Sequence, residues 1–175
     1  MRKKNWHGLM KILEVRHLNC KGEVLMEQHD LRNLLHLEGE DFMLRACFVG
    51  GRISNVIPDF YYLGLDNRLN VMSDNTMDDL IGEPVGGGYQ RQQIASQGDF
   101  SINLEGEHFI ATSPIVAFRS TTGSWGPVSN LFLTNAADNS GSLISTVILQ
   151  TPVSMSPGDT VTMRIGMQLF DCPTP

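Results

Sequence analysis

The sequence predicts an all-β fold, a β-sandwich with the jelly roll as one form of it, carrying one or two short helices. Three observations lead there. Near the end of the chain Val161, Met163, Ile165, Met167 and Leu169 are apolar, while Thr162, Arg164, Gly166 and Gln168 stand between them. This period of two belongs to a strand with one face on a core. Short runs rich in Val, Ile, Phe and Thr recur along the chain, separated by Gly, Pro and Asn turns, which is the pattern of a sandwich or barrel. Finally, 175 residues with 41% hydrophobic content suffice for one domain with a full core, without disulfide or metal staples.

The elements follow in order. Residues 1–10 read as a basic arm, 11–170 as a single domain and 171–175 as a tail. Residues 11–16 and 23–27 read as two strands around Asn19-Cys20-Lys21-Gly22, whose glycine suits a hairpin turn. From His36 to Phe48 the spacing of Leu37, Asp41, Leu44 and Phe48 becomes helical. Glu38, Glu40 and Asp41 sit in its first turns, where the helix dipole favours negative charge, and Gly50-Gly51 stops it. Tyr61 to Leu65 reads as a strand. Thr76 and Asp79 have capping-box spacing for a brief helix, with Asp in place of the usual Glu or Gln. Residues 82–88 form a flexible glycine-rich loop leading into 89–94. Further strands are expected at 100–104, 109–112, 115–119, 129–134, 142–149 and 161–169, eight or nine in all. The last two read as paired neighbours, joined through Pro157-Gly158-Asp159.

Charge is uneven. Residues 1–60 carry nine Lys or Arg against eight Asp or Glu, and residues 61–175 carry four against eleven, giving +1 and −7. All four lysines, Lys3, Lys4, Lys11 and Lys21, fall early, so a basic arm leads an acidic body and suits an acidic patch on a partner protein. The net charge of −6 disfavours nucleic acid. No run of 18 apolar residues marks a membrane span, and the basic start lacks the apolar core of a signal peptide, so synthesis and folding in a cytoplasm are expected. Cys20, Cys47 and Cys172 are odd in number and far apart, a pattern of core or surface thiols.

Chemistry-bearing patterns are sparse. The histidines, His7, His17, His29, His36 and His108, form no metal-ligand spacing, although His17 and His29 would hold a metal if they met across the first hairpin. Glu105 and Glu107 would suit glycosidase chemistry only opposite a second strand and a sugar groove, and Glu105-Gly106-Glu107 reads better as a hairpin turn. Ser113 and Ser129 lack the glycine elbow of a nucleophile. The triple glycine at 86–88 has no Lys-Ser or Lys-Thr after it, unlike a phosphate loop. No enzyme activity, cofactor or metal is expected.

Interface chemistry is better represented. Trp125, in Ser124-Trp125-Gly126-Pro127-Val128, suits a core end and an interface anchor equally. Arg91, Arg119 and Arg164 lie in or beside extended segments, and on one sheet face they would pair with carboxylates across a subunit boundary. With Lys3, Lys4, Trp6, Tyr61 and Tyr62 they make up the candidate interface residues.

Residues 37–44, Tyr62 to Arg68, Leu80 to Pro84 with Gly88 to Arg91, and Trp125 to Leu133 together resemble a family of small structural proteins of tailed bacteriophages and prophages. The resemblance spans about residues 10–170. It implies assembly in a virion: a capsid decoration or cement protein, dimeric or trimeric, bound to the major capsid protein or other virion proteins. A tail, neck or fibre component with host-surface binding through Tyr61, Tyr62, Trp125 and residues 82–88 is the first alternative. A carbohydrate-binding module or jelly-roll glycosidase is the second. Since the family carries no known catalytic residues, none transfer.

Overall fold

The computed structural model describes residues 6–49, 57–80, 82–106 and 108–171. Lys3 and Lys4 lie outside them. Ten strands occur among the described residues: β1 (Trp6–Leu18), β2 (Val24–Leu35), β3 (Phe60–Asp66), β4 (Gln92–Ala95), β5 (Ser101–Glu105), β6 (His108–Thr112), β7 (Val116–Arg119), β8 (Trp125–Thr134), β9 (Leu143–Met155) and β10 (Thr160–Asp171). Every pairing is antiparallel. β1 opens at Trp6 opposite Asp171, so residues 6–10, read from the sequence as arm, are laddered to the last strand.

The first hairpin is fixed by its turn. Gly22 takes φ +82°, which a side chain disfavours. The Asn19 side-chain oxygen accepts the backbone N–H groups of Lys21 and Glu23, both at 2.9 Å, offering the chain a ready-made reversal. Beyond it, β2 serves two sheets. Its residues 24–32 pair with β1, and Asn33, Leu34 and Leu35 pair with Val147, Thr146 and Ser145 of β9. Asp30, at φ +50°, lies just before that change of partner.

One sheet therefore runs β5-β6-β10-β1-β2, with β7 beside β10, and the other runs β2-β9-β8-β3-β4. β6 and β7 share one edge of β10 because Ser113 bridges them: its N–H donates to Ile165 O at 2.9 Å, and its hydroxyl accepts Ile165 N–H at 3.1 Å. Pairing is nested, first strand with last, second with ninth and third with eighth. This corrects the expectation that the final two strands pair with each other. β9 and β10 lie in different sheets, because the turn at 156–159 carries the chain from one sheet to the other instead of folding it back beside itself.

The alternation in β10 is as the sequence reads. Val161, Met163 and Ile165 are buried in the main core with Ile12 and Val15 of β1, Leu63 and Leu65 of β3, and Leu131 and Leu133 of β8. β8 is buried on both faces from Val128 to Thr134. Its far side is covered by the segment that includes the 3-10 turn Met77–Asp79, where Met77, Leu80, Phe132 and Leu143 form a second cluster. Burying a side chain such as Phe132 is worth about 2–3 kcal/mol. The capping expectation at Thr76 holds, since the Asp79 carboxylate accepts the Thr76 N–H at 2.8 Å and the Thr76 side chain faces the Asp79 N–H in return.

The predicted helix appears as α1 (Leu37–Leu44), continued by a π-helical turn Arg45–Val49. Gly39 lets it lie against β9, as a Cβ there would stand 2.2 Å from Ile144 O. Gly50 and Gly51, expected as its stop, lie outside the described residues.

Candidate functional site

A dense set of specific contacts lies along β3 and β8 of the second sheet, where residues 82–91 reach from the approach to β8 to the 135–141 loop. Gly86, Gly87 and Gly88 all have positive φ, at 76°, 61° and 83°, and this lets the backbone close over Trp125. A Cβ at Gly87 would stand 2.6 Å from Trp125 Nε1. The indole N–H donates to Gly86 O at 3.2 Å, and Thr121 donates to Gly87 O through its N–H at 2.8 Å and its hydroxyl at 3.0 Å. The loop expected to be flexible is thus pinned along its glycines.

Behind it, Tyr89 stacks on Phe118 at 6.1 Å and meets Trp125 edge-on at 5.4 Å. Its hydroxyl donates to Glu83 Oε1 at 2.6 Å and accepts Leu65 N–H at 2.9 Å. Burial first, and the neighbouring Glu83 carboxylate second, push the phenol far above its ordinary range, so it stays protonated. Arg91 grips the same carboxylate with Nε at 2.9 Å and Nη2 at 2.8 Å, while its Nη1 reaches Asp138 O at 2.6 Å and its Nη2 reaches Asn139 Oδ1 at 2.5 Å. Its guanidinium lies 5.1 Å from the centre of the Phe132 ring. Such a fork is the arrangement in which Arg differs most from Lys.

Asp66, fully buried, organises the adjoining turn. It accepts the N–H groups of Arg68 at 2.8 Å and Gly82 at 2.9 Å, and the Asn130 amide at 3.0 Å. Arg68 in turn donates to Asp79 O.

Between these groups is a cavity of about 280 Å³ whose lining includes Asn67, Glu83, Pro84, Ser124, Trp125 and Pro127. That is slightly below the range of about 300–1,000 Å³ for small-molecule sites. Its strongest polar groups are already engaged, Glu83 by Arg91 and Tyr89, and Trp125 Nε1 by Gly86. The arrangement acts as a rigid, charge-neutralised support for the loop tip, where Val85 is 96% exposed.

The expected interface residues do not converge. Trp125, weighed equally for core and interface, is core, at 4% exposure. Arg91 is held within its own chain, its side chain 7% exposed beside Glu83. It precedes β4 of the second sheet, whereas Arg119 and Arg164 lie on β7 and β10 of the first, so the three arginines do not share a sheet face. Arg119 is exposed; Arg164 is half-buried opposite Glu14, and its Nε is buried without a partner among the described residues. Tyr61 is half-buried between Phe42 and Phe100, edge-on to each at 6.1 and 6.2 Å, and burial raises its pKa. Tyr62 is half-buried opposite Thr134 and Gln93. Trp6 is placed only as the opening residue of β1.

His17 and His29 do not meet. His17 is buried against Asp159 at 3.1 Å, whereas His29 is exposed and contacts Glu27 at 3.0 Å and Leu13 O at 3.3 Å. Among the described residues no three His, Cys, Asp or Glu side chains are grouped to hold a metal. Ser113 and Ser129 donate to the backbone oxygens of Pro114 and Arg68, a structural use of both hydroxyls.

No family model, curated protein or solved structure matches this chain. Its function is therefore argued from its own surfaces.

Two of those surfaces were not singled out from the sequence. On β5 and β6, Ile102, Leu104 and Phe109 are 71%, 61% and 67% exposed. On the helix and its π-helical turn, Leu37, Leu44 and Phe48 are 56%, 58% and 82% exposed. The available signal for the hairpin was the alternation Ile102, Leu104 across Gly106 to Phe109. The signal for the Glu83–Arg91 pair was two opposite charges flanking a glycine-rich loop.

Proposed function

We propose that this chain is a virion structural protein of a tailed bacteriophage or prophage, a decoration or cement protein clamping neighbouring copies of the major capsid protein. The observation that carries the assembly reading is the presence of two separate exposed apolar surfaces, the β5–β6 hairpin and the helix that follows β2. Contiguous apolar surface left open on a folded body marks contact with another protein, and two such surfaces suit a subunit with more than one neighbour. The virion setting rests on the sequence resemblance.

For the fold, we read the two sheets as a β-sandwich of the jelly-roll kind. The nested pairing of first with last, second with ninth and third with eighth strand supports this.

The tail, neck or fibre alternative draws on the pinned loop at 82–88. A rigid tip presenting Val85 is suited to touching a surface beyond the particle. The carbohydrate alternative is the weaker, because Trp125 and Tyr89 are packed into the interior and offer no open sugar platform.

The test is the copy number of the chain in purified particles, by quantitative mass spectrometry against the major shell protein. One copy per shell subunit, or a simple fraction of it, is expected. A dozen or fewer per particle would move the protein to the tail or neck, and absence from particles would overturn the virion reading.

A further inference from the structure

We propose that the free edge of β5 is a self-association surface, where two copies join their sheets antiparallel about a two-fold axis at Asn103. This deepens the assembly reading by assigning one of its surfaces to a second copy of the same chain, and it is testable on the isolated protein.

β5 pairs only with β6 among the described residues, so its other side is an open edge. Glu105 and His108 close the hairpin, with Asn103 opposite Ile110 and Ser101 opposite Thr112. The ladder alternates, so Ser101, Asn103 and Glu105 direct their backbone groups to β6, and Ile102 and Leu104 direct their N–H and C=O groups outward. The edge carries no proline, bulge or lysine, the devices that blunt edge strands.

The apolar side of this hairpin continues the core. Ile102 lies opposite Ala111, and Ala111 opposite Met167, which packs on the main cluster. Phe100, just before β5, is also packed on that cluster through Tyr61. Ile102, Leu104 and Phe109 thus extend the core-facing side of the first sheet beyond the cover of the second. They leave on the order of 300 Å² open, at the lower end of the largest apolar patches on folded monomers, which are often functional.

A second copy fits this edge because its sequence is self-complementary. With Asn103 opposite its equivalent, Ile102 faces Leu104 of the partner and Ser101 faces Glu105. Apolar residues meet apolar, no like charges are opposed, and the outward N–H and C=O groups of Ile102 and Leu104 find each other. A two-fold interface requires such self-matching of one surface. Stable complexes bury about 800 Å² per partner, so this short ribbon gives a dimer that dissociates on dilution.

The experiment is sedimentation of the full chain over a concentration series, with two edge variants, and oxidative cross-linking of two cysteine variants. The wild type is expected to pass from monomer to dimer. Ile102→Pro removes one outward N–H, spares the β6 ladder and should leave a folded monomer; Leu104→Lys, at an exposed position with its backbone unchanged, should do the same. In a chain with Cys20, Cys47 and Cys172 replaced by Ser, Asn103→Cys should oxidise to a covalent dimer and Ser101→Cys should not, since only position 103 meets itself, at about 4.5 Å between Cα atoms. A wild type monomeric throughout, a dimer that survives both edge variants, or cross-linking at 101 instead of 103 would overturn the proposal. None of these outcomes depends on whether the chain is found in particles.

Discussion

Phe132 lays its ring over Gly64 on the adjacent strand, where a Cβ at position 64 would stand 2.1 Å from the ring's Cζ. Above the same ring lies the Arg91 guanidinium, so one glycine supports the stack that holds residues 82–91 in place. Gly64→Ala should therefore destabilise the fold by about 3 kcal/mol, the upper part of the range for overpacking a core. The urea midpoint measures it, and an unchanged midpoint would show that the ring is free to move aside.

Arg91→Lys should behave unlike a conservative change. Lysine cannot reproduce the fork to Glu83 or the reach to Asp138 and Asn139, and Glu83 then loses its main counter-charge. A loss of about 2–4 kcal/mol is expected, and Arg91→Lys with Glu83→Gln should cost less than the two single changes added. A double-mutant cycle by denaturant titration checks the coupling.

His36 makes stability depend on pH. It is fully buried, its Nε2 lies 2.9 Å from the Thr146 hydroxyl, and burial lowers its pKa below 6.5. The unfolded chain thus binds the proton more readily than the folded one. Stability is intact above the unfolded value and is lost as pH falls below it, from about pH 7 toward 5. Urea midpoints across that interval should decline, and His36→Gln should flatten the slope.

Ile165, fully buried, tests the last strand. Ile165→Asp places an unpaired carboxylate in the core and should unfold the domain. Ile165→Val should cost only about 1 kcal/mol. A soluble, folded aspartate variant, judged by circular dichroism, would overturn the assignment of its inward face.

What the sequence discloses follows the range of the interaction. Alternation in β10 and the Asn19–Gly22 turn are local, and both are found where read. Strand partners are not local. Nothing in residues 142–169 says that β9 and β10 belong to different sheets, because each could satisfy its ladder with the other. At the loop cluster, Trp125 could be read equally as core or interface, because its burial depends on Gly87 and Tyr89, some 35 to 40 residues away. Arg91 reads as a partner for a carboxylate across a subunit boundary because its actual partner, Glu83, lies across a loop with no regular spacing. The hairpin surface is not legible in the sequence, since alternation marks a face without saying whether anything covers it.

The adjacency of β1 and β10 also sets an order in time. β1 is made long before its partner β10, so β1 and β2 must wait as a hairpin, with Ile12, Val15 and Leu31 uncovered, until residues 160–171 emerge. Contacts of such separation slow folding and leave apolar strands open to other chains meanwhile. Nascent chains cut before residue 160 should therefore bind chaperones and resist release, while addition of β10 should end the dependence in a single step.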